Sequence, residues 1–449
     1  MRQNGRMPTA DVDQFAALIR DRLRHGHGPL SRRLATALTD LARTGALSPG
    51  TRLPSERDLA RVLECSRGAV AAAFNALFED GICERKHGSG TYLTASGAAS
   101  AMDRLLSPGA VFADLSTSVV PDPAHLRLPK LDPADLLHTP SRHGYDRLGE
   151  PGLLELLGDV LITSGGQQGI DLSTRCLARP GEAVLVEEPT YPGALAAITG
   201  CGARAVAVST DEHGMVPEAL SEALSRHRPA FAYVQAVRNP TGAVAGAGRV
   251  RELAGIAREA DLPVVVDHTL AEVVHEGPPP GRFADTHPHG TVEVHSLSKE
   301  LWGGLRVGWL VAPEPLRTQL TELKQTSDLA TSTVGQRLAA ELLRHNDFTA
   351  WRGELTRRRD HLSAALRREL PQWTWNRPAG GLSLWVRLPG TDTDAFAERA
   401  REHGVAVAPG SMFSADRRDR DRLRLSFALP PELLDQAVPA LARAWSSRT

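Results

Sequence analysis

The 449-residue sequence predicts a multidomain chain. An N-terminal α+β winged helix-turn-helix comes first, then an α/β domain on a mainly parallel sheet, then a small C-terminal α+β domain. Three observations carry this. Two short helical segments flank a tight turn and run into a two-stranded hairpin before Leu93. From about Val111, short Val/Leu/Ile runs alternate with helical stretches. Towards the C-terminus, helical segments give way to isolated strands. The expected divisions are an extension at 1–28, the winged-helix module at 29–93, a linker at 94–112 and the remainder at 113–449. That remainder splits into a large domain at about 113–325 and a small one at about 326–449.

Composition bounds the function. Hydrophobic content of 41% and charged content of 23% are ordinary for a soluble globular protein. No apolar run is long enough for a membrane span, and Met1 to Ala10 lacks the apolar centre of a signal peptide. The expectation is a cytoplasmic protein without membrane contact. Four cysteines, Cys65, Cys83, Cys176 and Cys201, form no C-x-x-C pair and no cluster with histidine, so no metal site is expected. Residues 1–93 carry 14 Lys/Arg against 10 Asp/Glu, and the rest carries 38 against 43. This mild basic bias permits nucleic-acid binding by the first module.

Met1 to His27 is polar apart from Phe15, Leu18 and Ile19, which predicts a frayed start with a short helix. From Pro29, Leu30, Leu34, Leu38 and Leu41 recur at helical spacing up to Gly45, and Pro49-Gly50 makes a turn. Ser55 is an N-cap with Asp58 three positions on, opening a helix to about Leu63. After Glu64-Cys65, Ser66 caps a second helix with Val70, Phe74 and Leu77 on its apolar face and Gly81 as its stop. Residues 82–85 and 90–93 read as strands joined through Lys86 to Ser89, which is the wing.

The run Pro49 to Ala60, with Ser66-Arg67 and His87 to Thr91, resembles a GntR-type winged helix over residues 29–93. The resemblance implies contact with operator DNA from Arg57, Ser66, Arg67, Gly68, His87 and Gly88, with Arg52 on phosphate. The physics agrees. A capped helix N-terminus suits a phosphate, and an arginine at the start of the recognition helix reaches a guanine edge. Ala69, Ala71, Ala72 and Ala73 leave that helix bare, so readout leans on Arg67, the wing and DNA shape. Thr94 to Ala101 and Ser107-Pro108-Gly109 then read as a flexible connector, with one helical turn at Met102–Leu106.

In the larger part, Leu161 to Gln168 reads as a strand end leading into a helix, where backbone N–H groups cradle phosphate. Four further runs read as strands: Ala183–Val186, Phe231–Val234, Val264–Asp267 and Val292–His295. They deliver Tyr191, Asn239, Asp267 and Lys299 to one place, because ligands of parallel sheets gather at the strands' C-terminal ends. In His295 to Trp309, Lys299 can form a Schiff base, while Ser296, Ser298 and Arg306 suit a phosphate dianion. Helices are expected at 316–329, 334–343 and 351–370, and strands at 379–386, 404–410 and 423–427.

These motifs, in this order, resemble the class I/II aminotransferases of fold type I, which bind pyridoxal 5′-phosphate (PLP). The resemblance implies that Asp267 pairs with the pyridinium nitrogen, Asn239 donates to the phenolate oxygen and Tyr191 stacks on the ring. It puts the phosphate on the amides of Gly166 and Gln167 and on Ser296, Ser298 and Arg306. Lys299 would carry the cofactor, and Arg424 would grip a substrate carboxylate. It also implies a homodimer in which Tyr145 reaches the partner's cofactor phosphate.

Together the two halves resemble the MocR/GabR family of regulators, which implies a PLP-dependent DNA-binding regulator that senses an amine or amino acid through aldimine chemistry at Lys299. In that family the dimer is head-to-tail with exchanged winged helices; the expectation here is a bacterial cytoplasmic protein, nucleoid-associated when DNA-bound. The alternative expectation is a working aminotransferase with an accessory DNA-binding module. Three departures stand out. Gly149 to Leu157 runs almost directly into Leu161, where relatives have an extra helix. Thr269 stands where relatives often have a tyrosine for the phenolate oxygen. Arg238 brings an extra positive charge near the pocket.

Overall fold

The computed structural model describes residues 9–23, 29–43, 47, 51–79, 82–86, 90–93, 106, 110–137, 143–416 and 418–447. The chain divides into two compact units, Met1–Arg104 and Leu105–Thr449. Among the described residues no helix is long and apolar enough to cross a membrane.

The first unit packs four helices, Thr9–Leu23, Leu30–Arg43, Glu56–Val62 and Arg67–Glu79, with an antiparallel hairpin of Cys83–Lys86 and Gly90–Leu93. Its core joins Leu34, Leu38, Leu41, Leu59, Val70, Phe74 and Leu77. The N-terminal helix is longer than the sequence predicts. Phe15 and Ile19 lie in the same core, so packing of one apolar stripe holds the helix. Ser55 Oγ accepts from the Asp58 N–H at 3.1 Å and itself donates to Asp58 Oδ2 at 2.7 Å, which tightens the expected cap. Gly45, Pro49-Gly50, Gly81, the loop 87–89 and most of the connector fall outside the described residues, and of the turn expected at Met102–Leu106 only Leu106 is described.

The second unit is built on a seven-stranded sheet. Its order is Leu161–Thr163, Gly308–Val311, Thr291–Ser296, Val264–Asp267, Phe231–Gln235, Ala183–Glu187, Arg204–Val208. Gly308–Val311 alone among them runs antiparallel to its neighbours. Strand residues alternate between two cores. Val184, Val186, Phe231, Tyr233 and Val265 join one, while Leu185, Ala232, Val234, Val264 and Val266 join the other. This is the signature of a sheet covered on both faces.

A second, antiparallel sheet orders Thr374–Trp375, Ser383–Arg387, Arg422–Ser426 and Ala408–Pro409. The helices Thr349–Glu369 and Pro431–Ser446 share its core through Leu355, Leu362, Leu434 and Leu441. Ala113–Asp114 pairs in parallel with Val405–Ala406, so the stretch just after the connector joins this C-terminal layer. The short helix Pro151–Leu157 is capped by the Glu150 carboxylate and ends at Gly158 (φ 84°), three residues before the sheet resumes at Leu161.

Candidate functional site

The expected residues converge at the C-terminal ends of the parallel strands, as sheet geometry requires. Asp267 ends its strand, and Asn239 lies just beyond Phe231–Gln235. Ser296 ends the next strand and pairs with Gly308, so Lys299 sits in the connection between two adjacent antiparallel strands. Tyr191 is the residue before the helix Pro192–Gly200.

Lys299 Nζ donates to the Ser118 carbonyl at 2.5 Å. Burial pushes its pKa down to about 8, and the Arg424 cation adds to the fall. Arg424 is buried, donates to Asn239 Oδ1 at 2.9 Å, and donates through its other terminal nitrogen to the Ser116 carbonyl. Its guanidinium lies 4.7 Å from the Phe413 ring centroid. Burial lowers its pKa to about 10. Tyr191 is pushed up to about 12, first by burial and then by the Asp267 charge.

The wall around Gly165 and Gly166 is built largely from backbone. Gly165 (φ 95°) precedes the helix Gly166–Leu177, whose first N–H groups are free of helical partners. A Cβ on Gly166 would meet Thr269 Cγ2 at 2.5 Å, so only glycine leaves that wall clear. Arg306 donates to the Ser164 carbonyl at 2.5 Å and lies over Gly165. Ser296 Oγ donates to Ser298 Oγ at 3.0 Å. Gln167 donates through its amide to the Gly193 carbonyl at 2.9 Å, and its Oε1 is buried without a partner. Gln168 links this loop outward. Its Oε1 accepts from the Ser164 N–H and its Nε2 donates to Asp328, which also pairs with the buried Lys324. The Asn239 turn is locked against Pro378 and Gly380 by Gly242 (φ 71°), where a Cβ would meet Pro378 Cβ at 2.3 Å. A cradle of free amides, paired hydroxyls, an amine of lowered pKa and a buried carboxylate fits an aldehyde-bearing pyridine phosphate.

Three features escape sequence reading. The carbonyls of Ser116 and Ser118 contact the two cations, and main-chain acceptors leave no side-chain signature. Tyr233 donates to Asp267 Oδ2 at 2.5 Å, though its place in an apolar strand marks it as core. Arg238 does not bring a free charge. It faces the buried Glu187 carboxylate at 3.4 Å and donates to Thr210 and the Asp211 carbonyl. Tyr145 stands apart from the convergent set and is 62% exposed, with its N–H donating to His143 Nδ1.

In the first unit, Arg57, Ser66, Arg67 and Gly68 are exposed, and Ser66 Oγ accepts from the Ala69 N–H at 3.2 Å. Arg67 leans towards Glu56 at 3.4 Å. Arg52 bridges to Tyr92, and the Leu53 and Leu93 N–H groups donate to the Thr91 and Thr51 carbonyls, so residues 51–53 lie along the outer edge of the two-stranded wing. Ala73 is buried and belongs to the core, while Asn75 is exposed and accepts from Arg85 at 2.7 Å. His87 and Gly88 lie outside the described residues.

The fold and this cradle define a PLP-binding unit of fold type I behind a winged helix-turn-helix. Residues 136–441 match the family Aminotransferase class I and II, and residues 30–93 match the bacterial regulatory proteins of the gntR family. The chain therefore belongs to the class I and II aminotransferase family, fused to a GntR DNA-binding domain in the MocR/GabR manner. The cofactor of this family is pyridoxal 5′-phosphate. The chain is 28% identical to the HTH-type transcriptional regulator TauR of Rhodobacter capsulatus, over 93% of this chain and 97% of that one. It is 37% identical to the 2-aminoadipate transaminase of Thermus thermophilus, over 64% of this chain and 75% of the enzyme. Among solved structures, it resembles the Thermus alpha-aminoadipate aminotransferase LysN complexed with N-(5′-phosphopyridoxyl)-L-leucine. That likeness has a TM-score of 0.66 and 29% identity over 78% of this chain and 95% of that one.

Proposed function

We propose that the chain is a homodimeric transcription regulator that binds operator DNA through residues 30–93 and senses a small amine or amino acid at the PLP site of its larger unit. The observation that carries this reading is the convergence of Lys299, Asp267, Asn239 and Arg424 in a chain that also holds a DNA-binding unit. PLP, when bound, supplies an electron-withdrawing ring and a visible chromophore. The residues do the rest. The amides of Gly166 and Gln167 with Ser296, Ser298 and Arg306 hold the phosphate, and Thr269 walls the cradle. Tyr191 would cover the ring, Asn239 would serve its phenolate oxygen, and Asp267 would keep the proton on its nitrogen. Lys299 Nζ would be the amine that holds the cofactor's aldehyde, and its lowered pKa would let it serve as the base that moves a proton. Arg424 takes the carboxylate of an amino-acid ligand.

The ligand competes directly for contacts seen here. Arg424 and Lys299 both donate to the stretch Ser116–Ser118, which follows the connector in sequence. A ligand carboxylate on Arg424 releases the Ser116 carbonyl, and this differential contact is what shifts a population between DNA-binding states. Exposed Tyr145, Trp302, Leu329 and Val334 suit a second copy of the chain, and Thr333 Oγ1 donates to the Gly144 carbonyl beside Tyr145. In such a dimer Tyr145 reaches the partner's cofactor phosphate, with the winged helices exchanged head-to-tail.

A second reading, a working aminotransferase with an accessory DNA-binding module, is favoured by the complete Lys299, Asp267 and Arg424 set. One experiment separates them. Purified protein is titrated with a panel of amino acids while visible absorbance, operator anisotropy and keto-acid release are followed, with mass determined by light scattering. Ligand-dependent operator affinity without multiple turnover supports the sensor. Rapid turnover with unchanged DNA affinity defeats it.

A further inference from the structure

We propose that Tyr233 is a positioning residue for the cofactor, acting through Asp267; this rests on the reading of Asp267 as the partner of the pyridine nitrogen. The two residues stand on adjacent parallel strands. Val265 is opposite Tyr233 and Asp267 is opposite Gln235, so Tyr233 and Asp267 share a face two positions apart. The phenol spans that offset and donates to Asp267 Oδ2 at 2.5 Å, with Tyr233 1% and Asp267 5% exposed.

The body of Tyr233 packs with Phe231, Val184, Val186 and Val265, an apolar environment in which phenylalanine would fill the same space. Only the hydroxyl meets an acid. Asp267 Oδ1 accepts the Thr269 N–H at 2.8 Å. The carboxylate thus has a donor on each oxygen and keeps a lone pair on each for a ring N–H. Without such donors a buried carboxylate drifts towards its neutral form, which cannot hold a proton on the ring.

The surrounding charges fit this role. Lys299 and Tyr191 face Asp267 from the cofactor side, and Glu187 lies beyond it, paired with Arg238. His268 follows in the chain but turns towards Glu293 and stacks on His295. Burial and the Asp267 charge hold the Tyr233 hydroxyl well above its usual pKa, so it stays a donor throughout the working range. Position 269 is a threonine that meets Asp267 through its N–H, and the phenol on this carboxylate comes from Tyr233.

The test uses full-length protein stripped of cofactor and reconstituted with PLP, as wild type, Tyr233→Phe, Asp267→Asn and the double variant. Visible absorbance gives Kd for PLP and the acid pH at which absorbance is half lost. Melting of the cofactor-free forms checks folding. Tyr233→Phe should weaken PLP on the order of tenfold, as loss of a hydrogen bond to a charged group does. Its acid limb should move to higher pH, because a carboxylate deprived of a donor protonates earlier. In the Asp267→Asn background the same change should cost nothing more, since a residue acting through Asp267 has nothing left to act on. Wild-type affinity and acid limb in Tyr233→Phe overturn the proposal, and so does full additivity with Asp267→Asn, which marks a packing role. Wild-type protein that takes up no PLP fails earlier, and overturns the functional reading itself.

Discussion

Gly166→Ala tests the wall of the phosphate cradle. A Cβ there would stand 2.5 Å from Thr269 Cγ2 and 3.5 Å from Ser296 Cβ. Carbon pairs rest at roughly 3.5–4.0 Å, so the first contact must open by about an ångström while the second is ordinary. Thr269 cannot simply slide, because its N–H is bound to Asp267 Oδ1 at 2.8 Å. Overpacking of this kind costs ~1–3 kcal/mol. Gly166 is not at positive φ, so alanine regains ~0.4–1 kcal/mol from the unfolded chain. The net expectation is a larger unit less stable by about 1–2 kcal/mol. PLP should bind about tenfold more weakly, as ~1.4 kcal/mol implies. Thr269→Ser removes the clashing methyl, and the contacts that remain are at 3.5 and 3.8 Å. In that background the sign should reverse, and Gly166→Ala should stabilise by ~0.4–1 kcal/mol. Urea unfolding followed by tryptophan fluorescence, beside a PLP titration, measures both. A Gly166→Ala penalty undiminished by Thr269→Ser would refute the steric argument.

Other expectations follow from the same geometry. Lys299→Ala should abolish the visible absorbance of bound PLP and uncouple ligand from operator affinity; a retained chromophore excludes Lys299 as the attachment point. Because Lys299 titrates near 8 when folded, against about 10.4 unfolded, the folded state disfavours its charged form. That penalty is full below pH 8 and fades as pH rises from 8 to the unfolded value. PLP uptake by the cofactor-free protein should accordingly speed up with a midpoint near pH 8, and stopped-flow absorbance that rises only above pH 10 contradicts the assignment. Arg424→Lys keeps a charge but loses the fork that spans Asn239 and Ser116, so carboxylate ligands should weaken at least ~tenfold while PLP stays bound. Equal losses of ligand and cofactor in equilibrium titrations point to a misfolded site instead. Arg67→Ala should weaken operator DNA by ~1–3 kcal/mol in fluorescence anisotropy, with relaxed preference at one base. A uniform loss across all DNA sequences assigns Arg67 to phosphate.

The parts of the molecule legible in sequence are those with local signatures. Strand runs ending in Asp267, Asn239 and Lys299 locate the convergent site, because a parallel sheet leaves few other places for those tips. Ser55 and Ser66 announce their helices through capping chemistry. What escaped lies in contacts distant along the chain or made by main chain. The pairing of Ala113–Asp114 with Val405–Ala406 joins segments from opposite ends of the unit, and neither strand is long enough to show a period. The bridge from Arg52 to Tyr92 is likewise invisible in a Pro-rich approach to a helix. Tyr233 alternates correctly as a core residue, and its hydroxyl matters only because of a neighbour on another strand. Arg238 reads as an added charge until Glu187 is placed beside it.

Asp114 ties down Ser116 and Thr117 through hydrogen bonds to its carboxylate oxygens, and the stretch then offers two peptide oxygens to Arg424 and Lys299. Those oxygens belong to every amino acid equally. Alanine at 116 or 118 therefore keeps both links, although it gives up the hydroxyl's bond with Asp114 or with Ser383. Only a change in the path of the chain itself, such as a residue inserted before Ser116, will disconnect the pocket from what precedes it.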